Sequence, residues 1–551
     1  MTASRGHMQL SALLTRGLHR APEEDIVTIG QSKSHRQTYK EMFARAAQLA
    51  ASLAELGVRA GDRVATLMWN NHRHQEAYLA VPLMGAILHS LNLRIPPQEL
   101  AYVINHAANK VLLVDEGLLP LVRDLAGRIP TVQHIVVATD SGHLSQEPLP
   151  LLSWEDLIEG KPTEIAWPRL DEWSAMGLCY TSGTTGNPKG VIYTQRSTYL
   201  HTMGQALTDT VGLTTLDCVL QIVPMFHVLG WGYPYTATML GAKQVFMEGA
   251  FEPQLVLDAI DKEEVTFSAG VPTIWQGVRE AYEAHSGRWK LSSLERINCG
   301  AAAPSHSLIK WYAEKLGVEM IQSWGMTEAN PLGVTSRRVA KRSHRKLSLD
   351  DQLKNVTKTG LSVPGVELEI FDDNGDPVLH DGKQSGNLRI RGPWVCLSYY
   401  KEDFPDRFVE DWLVTGDVAK IDPESYLIIS DRAKDLIKSG GEWISSIDME
   451  NHILAIADIA RVAVIAQPHP KWDERPIALI ALRDGAKLSA SDVIAHCATR
   501  FPRWQLPDDV IFVPELPLNG AGKIDKKLIR EDLARAGYVL PALRESKDIR
   551  A

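Results

Sequence analysis

From Tyr39 to about Asn330 the apolar positions follow two alternating rhythms. Met42, Ala46, Leu49, Leu53 and Leu56 recur at helical spacing, whereas Arg63 to Leu67 and Val111 to Val114 are short runs of strand type. Helices alternating with such runs predict parallel sheets covered by helices, an α/β architecture. The rhythm changes between Gly360 and Ile429. There Val366 to Phe371, the turn pair Asn374 and Gly375, and Asn387 to Ile390 read as antiparallel strands and hairpins, so a β-rich subdomain is expected at about 360–430. A third style begins near Lys434. Strand-like Arg461 to Ile465 and Pro476 to Leu482 flank a helical stretch at Ser489 to Thr499, followed by strand-like Asp509 to Val513 and helical Lys527 to Ala534. The expected organisation is a large domain at 1–433 and a small α+β domain at 434–551.

Composition narrows the partners. With 44% hydrophobic and 23% charged residues, the chain has none of the bias that marks disorder and can bury a sizeable core. A formal charge of −9 argues against nucleic acid, whose binders carry a basic face. The basic run Ser336 to Lys346 is chemically able to meet a phosphate but reads more simply as a solvated loop. Five cysteines, odd in number and without a Cys-x-x-Cys pair, read as free thiols in a reducing cytoplasm. The longest stretch free of Asp, Glu, Lys and Arg, Cys218 to Ala242, is interrupted by Pro224, Gly230, Gly232 and Pro234, which suits buried core better than an integral membrane segment. No charged start followed by a long apolar run suggests a signal peptide.

The most informative segment is Tyr180 to Gly190, YTSGTTGNPKG, set between strand-like Met176 to Tyr180 and Val191 to Thr194. Gly183, Gly186 and Gly190 permit tight turns that aim backbone N–H groups inward. Thr181, Ser182, Thr184 and Thr185 add hydroxyls, and Lys189 adds charge. This is an anion cradle. It departs from the G-x-x-x-x-G-K-[ST] pattern, so a P-loop kinase is a poor reading.

With that loop stand six further segments: Pro224 to His227 (PMFH), Gly300 to Pro304 (GAAAP), Gln322 to Glu328 (QSWGMTE), Thr415 to Asp417 (TGD), Asp431 to Asp435 (DRAKD), and Gly522-Lys523. In this order the chain resembles, over nearly its whole length, the acyl-adenylate-forming superfamily of acyl-CoA synthetases, peptide-synthetase adenylation domains and luciferases. The resemblance implies a mobile C-terminal domain and a two-step reaction. ATP and a small-molecule carboxylic acid give an acyl-adenylate and pyrophosphate, and the acyl group then passes to coenzyme A. The run SGGEWISS is most similar to medium-chain and fatty acyl-CoA synthetases. Amide ligases of the coronafacate-ligase type, which use an amino acid amine instead, are also similar and remain the alternative. The family also admits homodimers.

The resemblance assigns roles residue by residue. Asp417 and Arg432 would hold the ribose and phosphate, Trp324 would stack on adenine, and Gly300, Ala301, Ala302, Ser323 and Gly325 would line the nucleotide. Thr327 would meet the α-phosphate, and Glu328 with Thr184 would hold Mg²⁺. Lys523 would bridge the carboxylate and the α-phosphate, placing charge where the transition state develops it; Ala521 replaces the hydroxyl residue usual before Gly-Lys. His227 would border the acyl pocket, with Trp231, Gly232, Pro272, Gly300 and Gly325 as walls, a set of small and aromatic residues suited to an uncharged acyl group. Lys434 would be the hinge, and Lys438, Ser439, Gly440, Gly441, Glu442 and Trp443 would form the acceptor channel.

Overall fold

A computed structural model of the chain describes residues 7–30, 33–140, 150–181, 187–249, 251–432, 435–439, 442–518 and 523–541. Their strands assemble into four sheets. The first runs, in spatial order, Leu151–Ser153, His134–Ala138, Asn109–Asp115, Arg63–Leu67, Ile87–Ser90, Ala175–Tyr180 and Gly190–Thr194. All its neighbours are parallel except the last pair. The second has nine strands, with a parallel centre that includes Cys218–Gln221, Phe267–Gly270, Arg296–Gly300 and Glu319–Gly325. Antiparallel additions flank that centre: Ser34–Thr38 at one edge, and Leu332–Ser336 with Leu361–Ser362 at the other.

Helices cover these sheets for readable reasons. Tyr39–Glu55 starts at a capping box, where Thr38 Oγ1 accepts the Glu41 N–H and the Glu41 carboxylate accepts the Thr38 N–H at 2.7 Å. Such a cap contributes about 1 kcal/mol. The helix buries Met42, Phe43, Ala46, Leu49 and Leu53 in a core that also takes Met176, Tyr235 and Phe246, so one apolar layer joins both large sheets. Leu56, at the end of the stripe, is the C-cap and packs half-buried against the same core.

The β-rich segment forms an antiparallel sheet of Glu367–Phe371, Gly386–Arg391, Trp412–Ile421, Phe408–Val409 and Leu427–Arg432. Its strand period is visible in Leu388 and Ile390, buried between half-buried neighbours. At its first turn Gly375 adopts φ 89°, and the Asp372 carboxylate accepts the Asn374 and Asp376 N–H groups at 2.9 Å.

The last sheet holds Ile437–Ser439, Glu442–Ile444, Ile459–His469, Asp473–Leu482 and Asp509–Phe512. Alternate residues of its long strands face opposite ways. Val462, Val464, Ala478 and Ile480 pack on Met449, Ile453, Val493 and Cys497 of two helices. Ala463, Ile465, Ile477 and Leu479 pack on Ile529 of the helix Lys526–Arg535. Two buried faces make this a core in its own right. It touches the rest of the chain through the Arg483–Glu280 ion pair and through Asp431, whose carboxylate accepts the Ser446 N–H at 2.7 Å. Among the described residues no helix is long and apolar enough to cross a membrane.

Candidate active site

Parallel sheets gather ligand sites at the carboxyl ends of their strands, and Thr181, His227, Gly300 and Trp324 lie at or just beyond such ends. Tyr180 pairs with Gly190 across an antiparallel turn, and the Thr181 N–H donates to the Lys189 carbonyl at 2.9 Å, closing the base of the glycine-rich loop. Ser182, Gly183, Thr184, Thr185 and Gly186 lie outside the described residues. The Lys189 ammonium sits 3.4 Å from the centroid of the Phe404 ring and 5.1 Å from that of Tyr399. A small cleft adjoins the loop, lined in part by His89, Tyr180, Thr181, Pro188, Phe226 and His227.

Trp324 and Asp417 meet from different sheets. The indole N–H donates to Asp417 Oδ2 at 3.1 Å, and Arg432 Nε stands 3.6 Å from Oδ1. The pKa of the Asp417 carboxyl is pushed up by burial, an effect opposed by Arg432, by the Trp324 N–H and by Lys523. Gly416 supplies a φ of 80° at the turn into Asp417. Ser323 Oγ donates to Asn298 Oδ1 at 2.8 Å, and Ala301 adopts φ 69°, turning the chain after Gly300. Ala302 is exposed beside it.

Thr327 and Glu328 occupy a short 3₁₀ turn, Thr327–Ala329. The Tyr193 hydroxyl donates to the Thr327 carbonyl at 2.8 Å. Glu328 is buried, with its Oε1 accepting the Tyr399 hydroxyl at 2.6 Å and its carbonyl accepting the Cys396 N–H at 2.8 Å.

Lys523 lies on a bend after the C-terminal sheet, beside the isolated bridge between Leu518 and Ile524. Burial draws the pKa of its ammonium down to about 8, with Arg432 pressing the same way and Asp417 opposing. The His227 imidazole is drawn down to about 4 by burial, then by Lys523 and Arg94. Lys523 therefore shares one electrostatic neighbourhood with Asp417, Arg432 and His227. Immediately after His227 the chain makes a left-handed turn: φ is 46° at Val228, 44° at Leu229, 60° at Gly230, 56° at Trp231 and 79° at Gly232. This sets the Trp231 ring against Gly300, where a Cβ would lie 3.0 Å from it. Gly232 is needed for room, since a Cβ there would stand 2.6 Å from the His201 ring. Gly325 gives room of another kind. A Cβ there would meet the Pro331 carbonyl, so its close approach is made within its own hairpin. Pro272 is the first residue of the helix Pro272–Ala284.

In the acceptor segment, Lys438 pairs with Trp443 and Ser439 with Glu442 across a short hairpin. Arg475 donates to Ser439 Oγ at 2.9 Å. Lys434, Gly440 and Gly441 lie outside the described residues. The basic run is held elsewhere. Arg337 pairs at 2.6 Å with Glu319, at the opposite end of the strand that carries Trp324 and Gly325.

Sequence reasoning missed Tyr399, Phe404, Arg407 and Arg94. Arg407 donates to the Thr415 carbonyl at 3.4 Å and acts electrostatically on Asp417, while the Arg94 guanidinium lies 5.7 Å from the centroid of the Phe226 ring. None of the four stands in a recognisable motif. Only folding returns the segment around Tyr399 to Lys189, with the Tyr400 N–H donating to the Gly190 carbonyl at 2.8 Å.

The fold and this site define an adenylate-forming enzyme. The family model for AMP-binding enzymes matches residues 14–400, and that for the AMP-binding enzyme C-terminal domain matches 448–523. The chain belongs to the AMP-binding enzyme family. It is 41% identical over 529 residues to a 3-methylmercaptopropionyl-CoA ligase of Ruegeria lacuscaerulensis, covering 96% of this chain and 97% of that one. It is also 41% identical over 529 residues to a medium-chain-fatty-acid–CoA ligase of Ectopseudomonas oleovorans, covering 96% of each. Among solved structures, the anthranilate CoA ligase AuaEII in complex with anthranoyl-AMP superposes with a TM-score of 0.86 at 26% identity, covering 97% of this chain and 98% of that one.

Proposed function

We propose that the chain joins a carboxylic acid with an uncharged acyl chain to coenzyme A, through an acyl-adenylate. The observation that carries this reading is the Asp417 carboxylate, met by the Trp324 indole at 3.1 Å and by Arg432 at 3.6 Å, with Lys523 of the C-terminal part acting electrostatically on the same group. The names of the two relatives favour CoA over an amine as acceptor.

In the first step a substrate carboxylate oxygen attacks the α-phosphorus of ATP, and the bond to the bridging oxygen of pyrophosphate breaks. Asp417 and Arg432 hold the ribose, Trp324 packs on the base, and Lys189, Thr327 and Lys523 face the charge that builds on the phosphates. Glu328 fits Mg²⁺ by donor chemistry, since it keeps one carboxylate oxygen beyond the one committed to Tyr399 and Mg²⁺ is commonly held by one or two carboxylates plus phosphate oxygens. That ion, with Thr184 as a second donor, would supply charge neutralisation on the triphosphate. In the second step the CoA sulfur attacks the acyl carbon and AMP leaves. We assign this step to the segment Lys438 to Trp443, with a boundary at 434 and Lys434 as the pivot. Five free cysteines suit a reducing cytoplasm.

The test is product analysis by mass spectrometry with ATP, Mg²⁺ and acids of increasing chain length, offering CoA or mixed amino acids in parallel. A thioester formed with CoA supports the reading. Amide formation with little CoA consumed would overturn the acceptor, and no acyl-adenylate from any acid would overturn the whole.

A further inference from the structure

Two opposite charges wait near one another at the phosphate end of the site without neutralising each other. Among the described residues Lys189 makes no ion pair, and its ammonium lies on the face of Phe404 at 3.4 Å, with Tyr399 at 5.1 Å. Tyr399 meanwhile donates its hydroxyl to Glu328 at 2.6 Å. One side chain thus offers a ring to the lysine and a proton to the carboxylate. The rings brace each other: Tyr399 and Phe404 meet edge to face at 5.4 Å and 88°, and Phe408 backs Tyr399 at 5.4 Å. The backbone ties the same segment to both partners, through Cys396 N–H to the Glu328 carbonyl and Tyr400 N–H to the Gly190 carbonyl, each at 2.8 Å.

We propose that Tyr399 and Phe404 are positioning residues that hold Lys189 and Glu328 charged, close and unpaired before the triphosphate arrives. A direct Lys189–Glu328 ion pair would have to be broken when phosphate and cation bind. A cation on an aromatic face is oriented, yet gives way to a phosphate oxygen at smaller cost. The hydroxyl of Tyr399 occupies one carboxylate oxygen and leaves the other for a metal. This inference rests on the nucleotide-binding reading of the site, and it divides the labour: Phe404 serves the lysine and the phosphates, while the Tyr399 hydroxyl serves the carboxylate and the metal.

The experiment is equilibrium binding of a non-hydrolysable ATP analogue by calorimetry, without metal and across a Mg²⁺ titration, on the full chain and on Phe404→Leu, Phe404→Tyr and Tyr399→Phe. Phe404→Leu is expected to weaken metal-free analogue binding about tenfold, because a long side chain no longer oriented by the ring must be ordered on binding, and Phe404→Tyr to restore it. Tyr399→Phe, which keeps the ring, is expected to raise the Mg²⁺ concentration for half-saturation about tenfold, as for a lost hydrogen bond to a charged group, with metal-free binding near wild type. Thermal midpoints that fall while both binding curves stay put would overturn the proposal, as would two variants that shift the same curve equally. Wild-type binding of the analogue without acyl-adenylate formation from any acid would count against acid activation alone, leaving this test intact.

Discussion

Asp417 and Arg432 stand opposite each other on antiparallel strands, and the Asp417 carboxylate is shared between Arg432 on one oxygen and the Trp324 indole on the other, at 3.6 and 3.1 Å. Three strands from two sheets therefore converge on one carboxylate. Asp417→Asn keeps the shape and removes the charge. It is expected to weaken ATP binding at least tenfold, about 1.4 kcal/mol or more for a charged hydrogen-bonding group. Calorimetry checks this, and unchanged affinity would remove Asp417 from the ribose site.

Lys523 carries its charge below its folded pKa of about 8 and loses it as pH rises through that value. The adenylation half-reaction is expected to show an alkaline limb near pH 8 in kcat/KM, which reports the free enzyme. Lys523→Ala should lower acyl-adenylate formation by about 10²–10³, the range for losing a charge-stabilising group, while transfer from supplied acyl-adenylate persists. Equal loss of both half-reactions would contradict the role.

His227, its pKa drawn down to about 4, is neutral throughout the physiological range. An acid limb between about pH 5 and 7, the window of an ordinary histidine, should not disappear in His227→Gln. If that substitution abolishes such a limb, the imidazole titrates in a setting other than this buried one.

Gly300→Ala would set a Cβ 3.0 Å from the Trp231 ring and 3.3 Å from the Ser323 carbonyl. We expect a stability loss of about 1–3 kcal/mol, as for overpacking, and a shift of acid preference toward shorter chains. A chain-length profile with an unchanged optimum would exclude the Trp231 wall from chain-length selection.

Much of this was legible before folding. Arg63 to Leu67 is a strand over those same residues, and the helix Ala490–Ala498 lies within the expected stretch. Strand direction was less so, because an apolar run has the same composition whichever way it pairs. Gly190–Thr194, inside the stretch expected to build parallel sheets, accordingly turned out antiparallel. The family resemblance pointed to Asp417, Lys523 and Glu328, whereas Tyr399 and Phe404 lie in a polar-aromatic stretch whose meaning comes only from its return to Lys189.

The left-handed turn from Val228 to Gly232 bears on how this sequence can drift. Its three non-glycine positions each carry a backbone penalty of roughly 1–2 kcal/mol that glycine would avoid. Random substitution offers glycine at each of them, with an immediate local gain. Valine and leucine there offset that cost by burial in the core that joins both large sheets, and tryptophan by its seat against Gly300, so a glycine at any of the three would relax the backbone and leave unfilled the space that its side chain occupies.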